Sequence, residues 1–278
     1  MKMKNYIILL ITILFVSAKA QEKITIVPKW KDKETKTLII IDAFSYDEEI
    51  NTDTLQFTDT TKIIKLQAIK NKNSYNLIWQ EKKLARNIIE KKYLNKLYFN
   101  IALNEKGEFK ELENKKEVYN LFQDMLKEML NVLKEDKNKK EEYKKLKKKY
   151  DNELKSKIKP DTLELLIKDK TSFFLNLYGK TVILNDTVHY TDTIKHNIER
   201  RVTTTAKKLN NEQILIIETY KTDKQMPVYS EYEIIYNGLN DDTKDKKYYI
   251  KYIYNIKTGW IETIIVQNVF MLTKYLLK

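Results

Sequence analysis

The stretch Ile63-Ile64-Lys65-Leu66-Gln67-Ala68-Ile69-Lys70-Asn71-Lys72-Asn73-Ser74-Tyr75-Asn76-Leu77-Ile78-Trp79-Gln80 decides the fold class. Two β-branched and aromatic runs, Ile63 to Ile69 and Ser74 to Gln80, flank Lys70-Asn71-Lys72-Asn73. Such side chains suit a pleated surface and Asn suits a tight turn, so the segment reads as strand, turn, strand. The same pattern extends outward. Thr37 to Phe44 lies upstream, and Leu97 to Leu103 and Glu108 to Leu112 flank Asn104-Glu105-Lys106-Gly107 downstream, where Gly supplies the positive φ of a hairpin. Further on, Lys180 to Leu184, Val202 to Lys207, Gln213 to Tyr220, Tyr229 to Tyr236, Tyr248 to Tyr254 and Trp260 to Gln267 read as strands. Tyr248 to Tyr254 alternates with aromatics on both faces, which fits a strand covered on both sides or an interior face opposite a Tyr-rich exterior.

A helical region separates these two β-rich stretches. Val118, Leu121, Phe122, Met125, Leu126, Met129, Leu130 and Leu133 keep the 3.6-residue period, and Asn114 with Glu117 forms a capping-box pattern before them. After a break near Glu135 to Lys140, a polar helix carries the narrow stripe Tyr143, Leu146, Tyr150, Leu154 and Ile158. Pro160-Asp161 starts a third helix through Leu163, Leu166 and Ile167, and Leu84 to Tyr93 reads as another short one.

Internal similarity relates the β-rich stretches. Asp53-Thr54-Leu55-Gln56-Phe57-Thr58-Asp59-Thr60-Thr61-Lys62 resembles Asp186-Thr187-Val188-His189-Tyr190-Thr191-Asp192-Thr193-Ile194-Lys195. Ala68 to Trp79 lines up with Ala206 to Ile217, and Asn104 to Phe109 with Asn255 to Trp260, in the same order and with a slip of one residue in the last. The expected fold is α+β and mainly antiparallel β, with two pseudo-symmetric β halves, 21–113 and 171–278, around a helical insert at 114–170. The halves are expected to share one domain, with the helix from Val118 to Leu133 packed on or between them.

Residues 1–20 have another character. Lys2 and Lys4 precede the apolar run Tyr6 to Val16, followed by Ser17-Ala18-Lys19-Ala20 and Gln21. That is the layout of a secretory signal peptide cleaved after Ala20, and the run is too short to span a bilayer. The product is then expected in the periplasm or outside the cell, with no transmembrane segment after cleavage. There is no Cys, which excludes disulfides, thiolate metal sites and an N-terminal lipid-bearing Cys. The net charge of +13 falls to +10 when Lys2, Lys4 and Lys19 leave, and Lys134 to Lys159 alone holds 12 Lys against 6 acids. Only Arg86, Arg200 and Arg201 are arginines. A solvated lysine-rich helix explains most of the charge, which argues against a nucleic-acid partner and leaves an anionic envelope surface open.

No catalytic motif stands out. Gly-x-Ser-x-Gly, His-Glu-x-x-His and phosphate-binding loops are absent from a chain with four glycines. His189 and His196 lie near Asp186 and Asp192, yet alternation along a strand turns His189 away from both aspartates, so they read as polar surface rather than metal ligands. Asn240-Asp241-Asp242-Thr243-Lys244-Asp245 departs from calcium-loop spacing and reads as a hairpin loop. The repeated Asp-Thr-x-x-aromatic-Thr-Asp-Thr element is either a polar strand edge or a pair of ligand-contact loops. No catalytic, cofactor-binding or metal-binding residue is assigned, and no cofactor.

The N-terminal layout, the Lys/Asn/Ile/Tyr-rich composition, and the segments Asn104-Glu105-Lys106-Gly107-Glu108-Phe109 and Thr258-Gly259-Trp260-Ile261 resemble uncharacterised secreted proteins of Bacteroidota with two β-rich halves. That resemblance implies no activity and transfers no site residue. The expected function is a non-catalytic binding or structural protein of the cell envelope. The alternatives are a periplasmic carrier of a lipid or other hydrophobic ligand, and a hydrolase whose site is scattered through the sequence.

Overall fold

The computed structural model describes residues 21–44, 60–82, 87–151, 159–194, 198–222, 248–267 and 271–278. Outside them lie residues 1–20, expected to be a signal peptide, His196, Leu84, Leu154, Ile158, the run Tyr229 to Tyr236 expected as a strand, the stretch Asn240 to Asp245 expected as a hairpin loop, and Asp53 to Asp59 of the repeated element.

The chain is mainly antiparallel β, joined by four described helices. The strands are β1 Lys23–Thr25, β2 Thr35–Phe44, β3 Thr60–Lys70, β4 Tyr75–Lys82, β5 Phe99–Leu103, β6 Phe109–Leu112, β7 Thr181–Ile183, β8 Asp186–Ile194, β9 Ile198–Lys208, β10 Gln213–Thr222, β11 Tyr248–Asn255, β12 Ile261–Gln267 and β13 Met271–Leu277. The helices are α1 Ile88–Leu94, α2 Lys115–Glu135, α3 Lys140–Lys149 and α4 Pro160–Leu175. Eleven strands form one sheet in the order β6-β5-β4-β3-β2-β13-β12-β11-β10-β9-β8, every described pair antiparallel, while β1 and β7 form a separate two-stranded ribbon. No helix among the described residues is long and apolar enough to cross a membrane, which says nothing about strands.

The hairpin turns follow from their residues. In the β5–β6 turn the Asn104 side chain accepts from the Lys106 and Glu108 amides, and Gly107 takes φ +85°. In the β11–β12 turn Asn255 accepts from the Lys257 and Thr258 amides, and Gly259 takes φ +72°. The Gly107 amide returns to the Asn104 carbonyl and that of Gly259 to the Asn255 carbonyl, one residue further along, which matches the slip between the two sequences. Ala68 to Trp79 and Ala206 to Ile217 likewise both fall on hairpins, β3–β4 and β9–β10. The first sequence match behaves differently: Thr60-Thr61-Lys62 belongs to β3, whereas Thr193-Ile194 ends β8.

The sheet is strongly curled. A strap of chain, Ile26 to Trp30, touches both the β5–β6 and the β11–β12 turns. A Cβ placed on Gly107 would lie 2.8 Å from Pro28 Cδ, and one on Gly259 would lie 2.1 Å from the Lys29 amide nitrogen. Strands β5 and β11 are six strand spacings apart in the sheet, about 29 Å if it were flat. Only a sheet wrapped toward a barrel brings both turns to one proline. The Tyr75 hydroxyl on β4 donates to the Pro28 carbonyl (3.1 Å), and that of Tyr254 on β11 donates to Val27 (2.8 Å). Trp30 stacks on Trp260 at 4.4 Å, and both Trp30 Nε1 and the Tyr178 hydroxyl donate to the Gly259 carbonyl.

The C-terminal half of α4 occupies the concave side. Phe174 meets Trp79 and Trp260, and Phe173 stacks on Tyr275 of β13 at 4.1 Å. The helix expected on or between the halves, α2, buries only Val118 and Leu133 and rests Leu121 and Phe122 partly against the core. Asn114 stands at the α2 N-cap position, yet its side chain accepts from the Asn100 amide and donates to the Tyr98 carbonyl, tying α2 to β5 instead of capping it. Helix α3 buries no residue and leans on α2 through Tyr150, whose hydroxyl donates to Gln123.

The strap contact predicts a contrast between two glycines. A methyl at Gly259 meets strap backbone, which cannot move without breaking the turn; one at Gly179 (φ +84°) meets only the flexible Glu108 side chain. Gly259→Ala should cost about 3 kcal/mol or more, and Gly179→Ala about 1–2 kcal/mol from its backbone conformation alone. Urea unfolding of both variants measures this, and equal costs would contradict the pinned strap.

Candidate functional site

The inward face of β10 reads Ile214, Ile216, Glu218, Tyr220. All four are buried, and Glu218 is 1% exposed. Cross-strand register places Glu218 opposite Thr204 on β9 and Ile250 on β11, and Thr204 opposite Val188 on β8. One row across the concave face therefore carries Val188, Thr204, Glu218 and Ile250. A buried carboxylate needs partners. Lys180, one residue before β7, donates from Nζ to Glu218 Oε1 at 2.6 Å, while the hydroxyls of Tyr220 and Tyr252 donate to Oε2 at 2.5 and 3.5 Å.

Lys180 reaches Glu218 because of how the chain leaves α4. Tyr178 is anchored on Gly259, Gly179 turns with positive φ, and the Gly179 amide donates to the Ile26 carbonyl while the Ile26 amide donates to the Lys180 carbonyl. The β1–β7 ribbon then lies against the concave face of β8 and β9, and Leu184 bridges to Ala206. Between the ribbon and the sheet is a cavity of about 280 Å³, open to solvent on one side. Val182, Ile183, Val188 and Ala206 make its walls apolar; Lys180, Thr181, Tyr190 and Thr204 add the polar groups. Thr204 is 7% exposed, and its hydroxyl has no hydrogen-bond partner.

Burial alone would lower the Lys180 pKa, but the adjacent Glu218 carboxylate, with Tyr190 beside it, more than offsets this and holds it above the ordinary lysine value. The side chain is therefore an ammonium donor rather than a neutral amine able to attack a carbonyl. Glu218 is engaged by three donors. Together they give an apolar slot with donors at one end.

The residues considered from the sequence fall elsewhere. His189 is exposed on β8, its Nδ1 3.0 Å from the Thr203 hydroxyl, and Asp186 accepts from the Gln21 side chain. β8 separates the two onto opposite faces, and Asp192 is in register with Arg200. Among the described residues no group of three or more His, Asp or Glu could hold a metal. In α3, Lys144 and Lys147 pair with Glu141 and Asp151 at the surface. Of the repeated element, Val188 and Tyr190 face the cavity. Lys180, Thr204 and Glu218 were not anticipated. The available signal was Glu218 itself, an acid at an inward position of an apolar alternation. Compared with family models, curated proteins and solved structures, the chain matches none.

The buried pair predicts an alkaline sensitivity. A lysine whose pKa is raised by folding contributes stability below its unfolded pKa, and that contribution is lost as pH rises through the folded value. The wild-type protein should lose stability above about pH 10.4 more steeply than the Lys180→Met/Glu218→Gln double variant, which carries neither charge. Lys180→Met alone should cost about 1–2 kcal/mol at pH 7, because Glu218 loses its cation but keeps the Tyr220 and Tyr252 hydroxyls, and the lysine is already partly solvated. Urea unfolding across pH 7 to 11 reads both effects, and parallel pH profiles would show that the pair carries no coupling.

Proposed function

We propose that the protein is an exported, non-catalytic binding protein of the cell envelope that holds a small, largely apolar ligand in the cavity between β7 and the β8–β9 edge of the sheet. The cavity carries this proposal: apolar walls, a few polar groups at one end, and one open side are the ordinary features of a small-ligand site. At about 30 Å³ per heavy atom its 280 Å³ takes roughly nine or ten atoms, enough for one short chain and too few for a diacyl lipid. Of the carrier alternatives, a small hydrophobic ligand is therefore favoured over a whole lipid. Export rests on the signal-like N-terminus, and the resemblance to secreted Bacteroidota proteins agrees with it. A duplication origin is supported by the order in which matched hairpins and Asn/Gly turns recur along the sheet, β3–β4 and β5–β6 in one half and β9–β10 and β11–β12 in the other.

Two measurements test this. Expressed with its full N-terminus, the protein should be recovered outside the inner membrane with Gln21 as its first residue; retention of residues 1–20 in the cytoplasm would remove the export claim. Residues 21–278 titrated with 1-octanol should show saturable amide shifts at Val182, Val188 and Ala206 in NMR spectra. Val188→Trp and, separately, Ile183→Trp fill the cavity and should abolish them. Shifts that persist in both folded variants would place binding elsewhere.

A further inference from the structure

The polar groups facing the cavity share one property. Lys180 offers only donors, and one of its three ammonium protons goes to Glu218. Tyr190 lies beside the same ammonium and lines the cavity half-exposed, leaving its hydroxyl proton for a ligand. Thr204 lines it too, but its hydroxyl oxygen is enclosed, with under 1 Å² of accessible surface, and offers the cavity no donor. The acidic neighbour does not reverse the sign: Glu218 is already covered by Lys180, Tyr220 and Tyr252.

We infer that the cavity takes a monocarboxylate with a short aliphatic or aromatic body, its carboxylate oxygens accepting from Lys180 and Tyr190 and its apolar body lying along Val182, Val188 and Ala206. This rests on the binding function proposed above and adds the chemical class of the ligand. The order of the lining fits the assignment. Val188 and Tyr190 alternate inward on β8, Thr204 and Ala206 on β9, and Thr204 faces Val188 directly, so polar and apolar contacts lie one residue pair apart along the same wall. An octanoate-sized acid has ten heavy atoms, which matches the cavity volume.

Octanoate, 1-octanol and octylammonium separate the possibilities, titrated into residues 21–278 by calorimetry at pH 7. Octanoate should bind at least about tenfold more tightly than octanol, since a charged acceptor gains more from the Lys180 and Tyr190 donors than a hydroxyl does. Octylammonium should bind more weakly than either. Tyr190→Phe and the Lys180→Met/Glu218→Gln double variant should each bring the octanoate-to-octanol ratio down to about two or less. Octanol or octylammonium binding as well as octanoate would overturn the carboxylate assignment while leaving the cavity a binding site. An octanoate preference untouched by both variants would overturn the head-group site. No binding of any of the three would overturn both the assignment and the proposed function.

Discussion

The contact between the strap and Gly259 is the constraint on which the rest depends. A side chain of any size at residue 259 would collide with the Lys29 amide, and without the strap the Gly259 carbonyl would lose Trp30 Nε1 and keep only the Tyr178 hydroxyl. Those donors are buried, so the loss is not made good by water. The strap holds two turns six strands apart, which closes the sheet around α4. Closure then positions Tyr178, Gly179 and Lys180 as the chain leaves the helix. Backbone bonds from Ile26 to Gly179 and Lys180 carry the strap directly into the β1–β7 ribbon. The cavity roof and the lysine at its end thus follow from the packing of the strap.

The polar cluster is placed by the same logic. Burying Glu218 on an apolar face is unfavourable unless a cation and hydroxyls meet it. Two tyrosines come from β10 and β11 themselves, at positions set by two-residue alternation and antiparallel register. The cation comes from outside the sheet. Lys180 couples the ribbon to the sheet at the point where a ligand would enter, so site geometry and core stability share one ion pair.

Much of this was legible in the sequence, for local reasons. The hairpins β3–β4, β9–β10, β5–β6 and β11–β12 are marked by Asn and Gly turns between β-forming runs, and a turn is specified by its own residues. Strand β13 was not legible. Met271-Leu272-Thr273-Lys274-Tyr275-Leu276-Leu277 is rich in residues that favour helices, and only pairing with β2 and β12 makes it a strand. The helices mislead in a related way. The unbroken period from Val118 to Leu133 belongs to a half-covered helix, whereas α4, with Leu165 and Leu166 exposed at 61% and 54%, sends its C-terminal half into the core. Periodicity reports which face is apolar; what covers that face is a tertiary matter. The cavity was hidden because Lys180 and Thr204 are ordinary residues until β7 is laid over β9.

The position of β13 also bears on the order in which the molecule can assemble. The last described strand is the seam of the sheet, paired on one side with β12 and on the other with β2, across some 230 residues of chain. Contacts of such sequence separation form slowly, because the intervening loop must be closed before they are rewarded. Until residues 271–277 dock, β2 and β12 are two unpaired edges at the middle of the sheet, each a template for strand addition. A chain synthesised from its N-terminus closes this sheet only once β13 has been made, and it is at its most vulnerable to misassociation just before that strand docks.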